Sequence, residues 1–319
     1  MKFYLKKAAG FFLTLFLVSV LSFLAFNVIP GDPAQLILGT EATPESVAAL
    51  REQLGLNDSL PVRYGHWAAG LLHGDLGTSI QYSKPVAGLI GERMPVTASL
   101  AVLSLLFVAV LSVPLGVYAA RKRDSAAGRF LDAITMLNLS LPGFFLGILL
   151  IWVFGVLLRV FTPGGYVDYH TDFAGFLRYL IFPAIAVALP NAAVAAKFIK
   201  ASVSSELESD YVLTALGKGC GERRMLYRHV LKNAVIPAIT LFGMMTAEVF
   251  SGSIIIEQVF GLPGVGRLLI SSVSSRDFPL IESLVVYLAA LVVAANFLAD
   301  LLMQAVDPRI RVTLGKEPS

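Results

Sequence analysis

AAGFFLTLFLVSVLSFLAFNVI, residues 8–29, carries no charged side chain. At about 1.5 Å per helical residue it reaches across the roughly 30 Å hydrocarbon core of a bilayer. Lys2, Lys6 and Lys7 stand in front of it, and the apolar run continues through Phe23 and Phe26 into IPGDP instead of ending at a small-residue cleavage site. It therefore reads as a first transmembrane span and not as a signal peptide. Working outward, further apolar stretches run from Met94 to Ala120, Ala133 to Leu158, Tyr179 to Ala196, Asn233 to Ala247 (extended by Val249 to Ile256) and Ser283 to Ala299. The expected fold is all-α, a polytopic membrane protein of about six transmembrane helices. Composition agrees: of 319 residues, 56% are hydrophobic and 15% charged, too few charges for a water-facing surface. Pro114, Pro142, Pro183, Pro190 and Pro237 lie inside these stretches, and packed membrane helices tolerate such kinks because neighbours satisfy the freed carbonyls.

Charge placement gives a direction. With the N-terminus in the cytoplasm, the inner segments collect Lys2, Lys6, Lys7, Arg121 to Arg123, Arg129, Lys197, Lys200, Lys218, Arg223, Arg224, Arg228, Lys232, Arg309, Arg311 and Lys316. This is the bias of the positive-inside rule, and it puts both termini in the cytoplasm. The net charge of +3 and the lack of a basic stretch interleaved with aromatics argue against nucleic-acid binding.

The chain then divides into a tail and first helix (1–30), an outer loop or cap (31–93), a five-helix core (94–304) containing an inner loop (201–231), and a cytoplasmic tail (305–319). In the outer loop, TPESVAALREQLGL predicts a helix opened by Thr43 or Pro44, with Val47, Leu50 and Leu54 as its apolar stripe. Pro61 to Leu72 is a second expected helix, and LHGDLGTS reads as turns, so the cap is small and helical. The inner loop mixes Glu206, Glu208, Asp210 and Glu222 with many basic residues, which suits either a docking surface for a partner protein or a solvated connector.

Catalytic and ligand motifs fail on chemistry. GLPGVGRLL (Gly261 to Leu269) has glycines five apart, but Arg267 and Leu268 replace the lysine and hydroxyl of a phosphate loop, so it reads as a turn opening a short helix. GKGCG (Gly217 to Gly221) lacks the dinucleotide fingerprint. His66, His73, His170 and His229 are scattered, the single Cys220 has no partner for an internal disulfide, and no GxSxG elbow occurs, so neither a metal site nor a catalytic residue is expected. Glu248 interrupts the fifth span, where a carboxylate is costly unless it faces a water-filled path, a hydrogen-bond partner or a proton.

Several long words occur in a family's order: IPGDP, HGDLGTS, ERMPVT, YAARKRDS, SLPGFFLGILLIW, TPGG, FPAIAVALP, DYVLTALGKG, RHVLKNAVIP, EQVFGLPGVGRLL and DPRIR. On these the chain resembles the inner-membrane permease subunits of the dipeptide/oligopeptide/nickel branch of bacterial ABC importers. The resemblance implies a second homologous permease, two ATPase subunits that hold ATP and Mg, an extracytoplasmic substrate-binding protein, and no cofactor on this chain. It also implies that the inner loop carries an EAA-like motif docking the ATPase. Leu213, Thr214 and Ala215 stand at its first positions and Gly219 at its glycine, with Asp210, Tyr211, Glu222, Arg223 and Arg224 around them. The motif's Glu is replaced by Leu213, and its proline comes only at Pro237. Related permeases carry an apolar residue near Glu248, which leaves that carboxylate as a possible feature of the translocation path. Peptide uptake is the leading function, with nickel or a metal chelate as the nearest alternative and a stand-alone ion-coupled carrier or channel as the reading from another class.

Overall fold

In the computed structural model, residues 2–28, 33–38, 42–53 and 55–306 are described. The expected end of the first span at Ile29, Leu54 of the cap stripe and the tail from Asp307 fall outside them. The described residues form helices and turns, apart from one isolated bridge between Thr78 and Pro85. They run as α1 (Lys2–Val28), α2 (Pro33–Leu38), α3 (Pro44–Gln53), α4 (Leu60–Leu72), α5 (Val86–Arg121), α6 (Ala126–Ser140) and α7 (Gly143–Leu150), which continues as a π-helix over Ile151–Leu157. Then come α8 (Phe173–Leu207), α9 (Asp210–Gly217), α10 (Glu222–Met225), a π-turn over Leu226–Val230, α11 (Leu231–Phe260), α12 (Val265–Ser275) and α13 (Phe278–Val306).

Five helices, α1, α5, α8, α11 and α13, are long and apolar enough to cross a bilayer. The expected third span, Ala133 to Leu158, is not one continuous helix. It is α6 and α7 with its π-extension, bent by 103° at Leu141 and Pro142. Pro142 is the reason. It caps α7 with extended backbone, and the residue before a proline is driven out of the helical region, so Leu141 sits at φ −100°, ψ 129°. The pair is one broken span or a re-entrant segment, and α8 is longer than expected, carrying helix past Lys197 and Lys200 to Leu207.

The chain forms two compact units, Met1–Pro95 with Pro263–Ala294, and Val96–Leu262 with Ala295–Ser319, so α5 and α13 contribute to both. In the first unit, α3 starts at Pro44 after Thr43, as expected, and Thr43 and Ser46 exchange side-chain and backbone hydrogen bonds there. The α4 helix lies along α1, with Tyr64 bonded to Ser19 at 2.8 Å and Phe23 packed on Tyr64 and Trp67. Val86, Leu89 and Ile90 of α5 pack with Val265 and Leu268 of α12 and Leu280 and Leu284 of α13. The HGDLGTS turns are pinned from below. Buried Asp277 accepts hydrogen bonds from the Ser79 hydroxyl and from the N–H groups of Ile80 and Gln81, and Ser283 donates to the Leu76 carbonyl at 2.7 Å. GLPGVGRLL behaves as expected, with Gly261 left-handed at the end of α11 and Gly264 capping α12.

The second unit is built around α8. Its buried face is largely alanine (Ala184, Ala186, Ala188, Ala192, Ala193, Ala195, Ala196), which lets neighbouring backbones come close, the packing by which membrane helices associate. At Gly116 of α5 any Cβ would lie 2.8 Å from the Ala196 carbonyl and the Ile199 side chain. Pro190 removes the backbone donor that would reach the Ala186 carbonyl, and the side-chain amides of Asn191 and Asn138 donate to the neighbouring Val187 and Leu189 carbonyls. At the other end, the Tyr179 hydroxyl donates to the Phe260 carbonyl (2.8 Å) and accepts from Gly164 N–H (3.0 Å), tying α8, α11 and the TPGG turn together.

Candidate functional site

The loop after α8 folds as two short helices around a sharp corner. Ser209 precedes α9, Gly219 holds φ +81°, and Gly221 opens α10. A left-handed residue is what turns the chain there, and glycine adopts it without a steric cost. The α9 helix has two faces. Tyr211, Val212 and Ala215 turn inward against a core of Val117, Ala120, Ile199, Val203, Met225, Leu226 and Val230. Leu213 and Leu216 turn outward, 67% and 43% exposed, beside Asp210 and Thr214. The expected docking residues therefore separate. Asp210, Thr214, Gly219, Arg223 and Arg224 are exposed, while Tyr211 and Ala215 support the helix from beneath.

Ionic contacts tie the end of α5 to this corner and to the end of α8. Arg121 pairs with Glu222 at 3.1 Å and Arg123 with Glu208 at 2.8 Å. They border a cleft of about 240 Å³ that Ser204 and Met225 also line. Both pairs are exposed, so solvent and salt screen them and neither holds its partners firmly. The Tyr211 hydroxyl donates to Glu206 at 2.6 Å, and burial, with the negative Glu206 beside it, holds its pKa above the ordinary tyrosine value. The sequence places Glu208 and Glu222 in the mixed-charge inner loop and gives no pairing of either with Arg121 or Arg123. The charge run KRD in YAARKRDS was the available signal, but pairing across some eighty to a hundred residues needs the fold.

On α11 the structure sets two carboxylates apart. Glu257 is fully buried and accepts a 2.7 Å hydrogen bond from Thr97. Glu248 is exposed, in a row with Met244, Ser251, Ile255 and Gln258. The rotation of α11 is fixed by its buried side, where Met245, Val249, Ile256 and Phe260 pack. Facing lipid near the middle of a span, an acidic side chain costs roughly 2.5–3.5 kcal/mol, so such a face is normally covered by protein or by water. Among the described residues no three His, Cys, Asp or Glu side chains come together as metal ligands.

Comparison with known proteins gives this geometry a setting. Residues 112–312 match the family model described as binding-protein-dependent transport system inner membrane component, and residues 1–101 match the N-terminal model of the same systems. A putative peptide transport system permease of Brucella abortus (strain 2308) is 38% identical over 307 residues, covering 96% of this chain and 98% of that one. An oligopeptide transport system permease of Bacillus subtilis (strain 168) is 36% identical, covering 92% and 94%. A glutathione transport system permease of Escherichia coli O6:H1 is 36% identical, covering 96% and 98%. Among solved structures, an inward-facing form of the MetNI methionine ABC transporter shares the fold, with a TM-score of 0.53 at 18% identity over 68% of this chain and 96% of that one. The chain belongs to the binding-protein-dependent transport system inner membrane component family. It is a multi-pass inner-membrane permease subunit of a peptide-type ABC importer, and that class works with ATPase and substrate-binding partners.

Proposed function

We propose that this chain is one of two homologous permeases that together form a path for di- or oligopeptides, driven by two ATPase subunits and loaded by an extracytoplasmic binding protein. Both termini and the α9–α10 corner lie on the cytoplasmic side, in keeping with the lysines and arginines concentrated there. The two-faced α9 helix carries the reading. A short helix anchored by its inner side and offering Leu213 and Leu216 outward is a plug for a groove in the ATPase. ATP and Mg sit on that partner, and this chain contributes no hydrolytic group. Closure of the ATPase pair pulls on the corner, and the packed α5, α8 and α11 transmit the displacement as a two-state rocking motion. The polar face of α11 at Glu248 lines the path.

The test is uptake by the full complex in proteoliposomes with ATP and the binding protein, using a labelled dipeptide, a longer peptide, glutathione and nickel. Competing uptake of the peptides is expected. Uptake of nickel alone would move the function to the metal alternative. Transport without an ATPase would remove the importer reading.

A further inference from the structure

The exposed face of α11 follows steps of four, three, four and three residues through Met244, Glu248, Ser251, Ile255 and Gln258, one continuous stripe along one side of the helix. Three of the five are polar. The helix cannot turn this stripe inward, because Met245, Val249, Ser253 and Ile256 on the other side are buried. Glu257, on the same helix, has its place inside the fold through Thr97. Glu248 has no hydrogen-bond or ion-pair partner among the described residues. A carboxylate with the Ser251 hydroxyl one turn away, in a stripe otherwise of Met and Ile until Gln258 about 15 Å further along, offers acceptor oxygens for one cation and a neighbouring hydrogen-bond group. A divalent ion needs more oxygen or nitrogen ligands than this, whereas a single ammonium is matched by it.

We propose that Glu248 is a cation-binding position in the translocation path, where the primary ammonium of the passing substrate pairs transiently with the carboxylate. The proposal rests on the path reading of this helix face. The amino terminus is the one cationic group that unblocked peptides share whatever their side chains, so a lone carboxylate serves the whole class without reading sequence. Exposure keeps the contact weak enough to release.

The test uses thiol chemistry in the assembled permease–ATPase complex in nanodiscs, without the binding protein. Cys220, the one cysteine, is first replaced (Cys220→Ser), and Ser251→Cys places a thiol one turn from Glu248. Labelling rates are measured with a cationic and an anionic water-soluble methanethiosulfonate, in nucleotide-free and ATP-trapped states, each relative to its rate with a free thiol. The cationic reagent is expected to react about tenfold faster, a preference that Glu248→Gln abolishes and that an unblocked dipeptide, but not its N-acetyl form, competes away. An unreactive thiol in both states, equal rates for the two reagents, or a preference surviving Glu248→Gln overturns the proposal. Ile255→Cys, further along the stripe, is read in the same way should Ser251→Cys not assemble. Failure of both to assemble assigns the stripe to a subunit interface and also overturns it. A separate wild-type uptake assay distinguishes the two readings, since charge-selective labelling without peptide uptake would remove the peptide substrate and leave the cation site.

Discussion

The two long loops of this chain are held by opposite means. The HGDLGTS segment rests on Asp277, whose buried carboxylate collects three donors from Ser79, Ile80 and Gln81, so little in it can shift without stranding a buried polar group. The α9–α10 corner sits on an apolar cluster through Val212, Met225 and Leu226, its one ion pair to α5, Arg121 with Glu222, is exposed, and it turns two leucines away from that core. Buried, fully satisfied networks fix one geometry, whereas exposed pairs can be exchanged at low cost. The difference suits a fixed platform in one loop and a moving contact in the other.

Asp277→Ala breaks the first side of this contrast and should have the largest effect. Four donors, the Ser79 hydroxyl and the N–H groups of Ile80, Gln81 and Leu280, lose their acceptor, costing on the order of 3–5 kcal/mol, read as a large fall in thermal unfolding temperature in detergent, with Asp277→Asn recovering part of it. Gly219→Val should act on the second side. Its φ of +81° strains a β-branched residue by about 1–2 kcal/mol at the corner alone, so assembly persists while uptake is lost and ATP hydrolysis runs uncoupled. Coupled uptake in that variant would count against docking through this corner. A double-mutant cycle on Arg121 and Glu222 should return less than about 1 kcal/mol and weaken further with salt, and a larger, salt-insensitive value would make the corner as rigid as the platform. The smallest effect belongs to Tyr211. Its raised pKa means the protonated hydroxyl is favoured in the fold, so its contribution is complete below the ordinary value near 10 and is lost as pH rises through the raised one. Tyr211→Phe should flatten that alkaline loss of stability in a pH series of melting temperatures.

How far each region could be read from the sequence follows the same divide. Uncharged length was enough for α1, α5, α8, α11 and α13, and Thr43 and the GLPGVGRLL turn announced the starts of α3 and α12, because those signals are local. Leu141–Pro142 misled for the reverse reason. Apolar length through that point matched a span, while the restriction that proline places on Leu141 set the 103° bend. Within the α9–α10 corner, the left-handed Gly219 followed from residue type, but that Ala215 turns inward and Leu213 outward depends on the α8 and π-turn residues that α9 packs on. Asp277 before Phe278–Pro279 had the pattern of a helix cap, and its role in holding Ser79 is a contact across almost two hundred residues that no spacing reveals. Glu248 was flagged for its cost in lipid, and the structure adds the face it shares.

The claim that α9 is the contact to the motor is tested most directly by co-purification. Permease carrying Leu213→Asp and Leu216→Asp is expressed with its partners, extracted in mild detergent, and the ATPase bound per permease is measured. Both leucines are exposed, so the permease itself should fold and melt as the wild type does while most of the ATPase is lost. Full retention of the ATPase on a normally folded double variant would contradict the account.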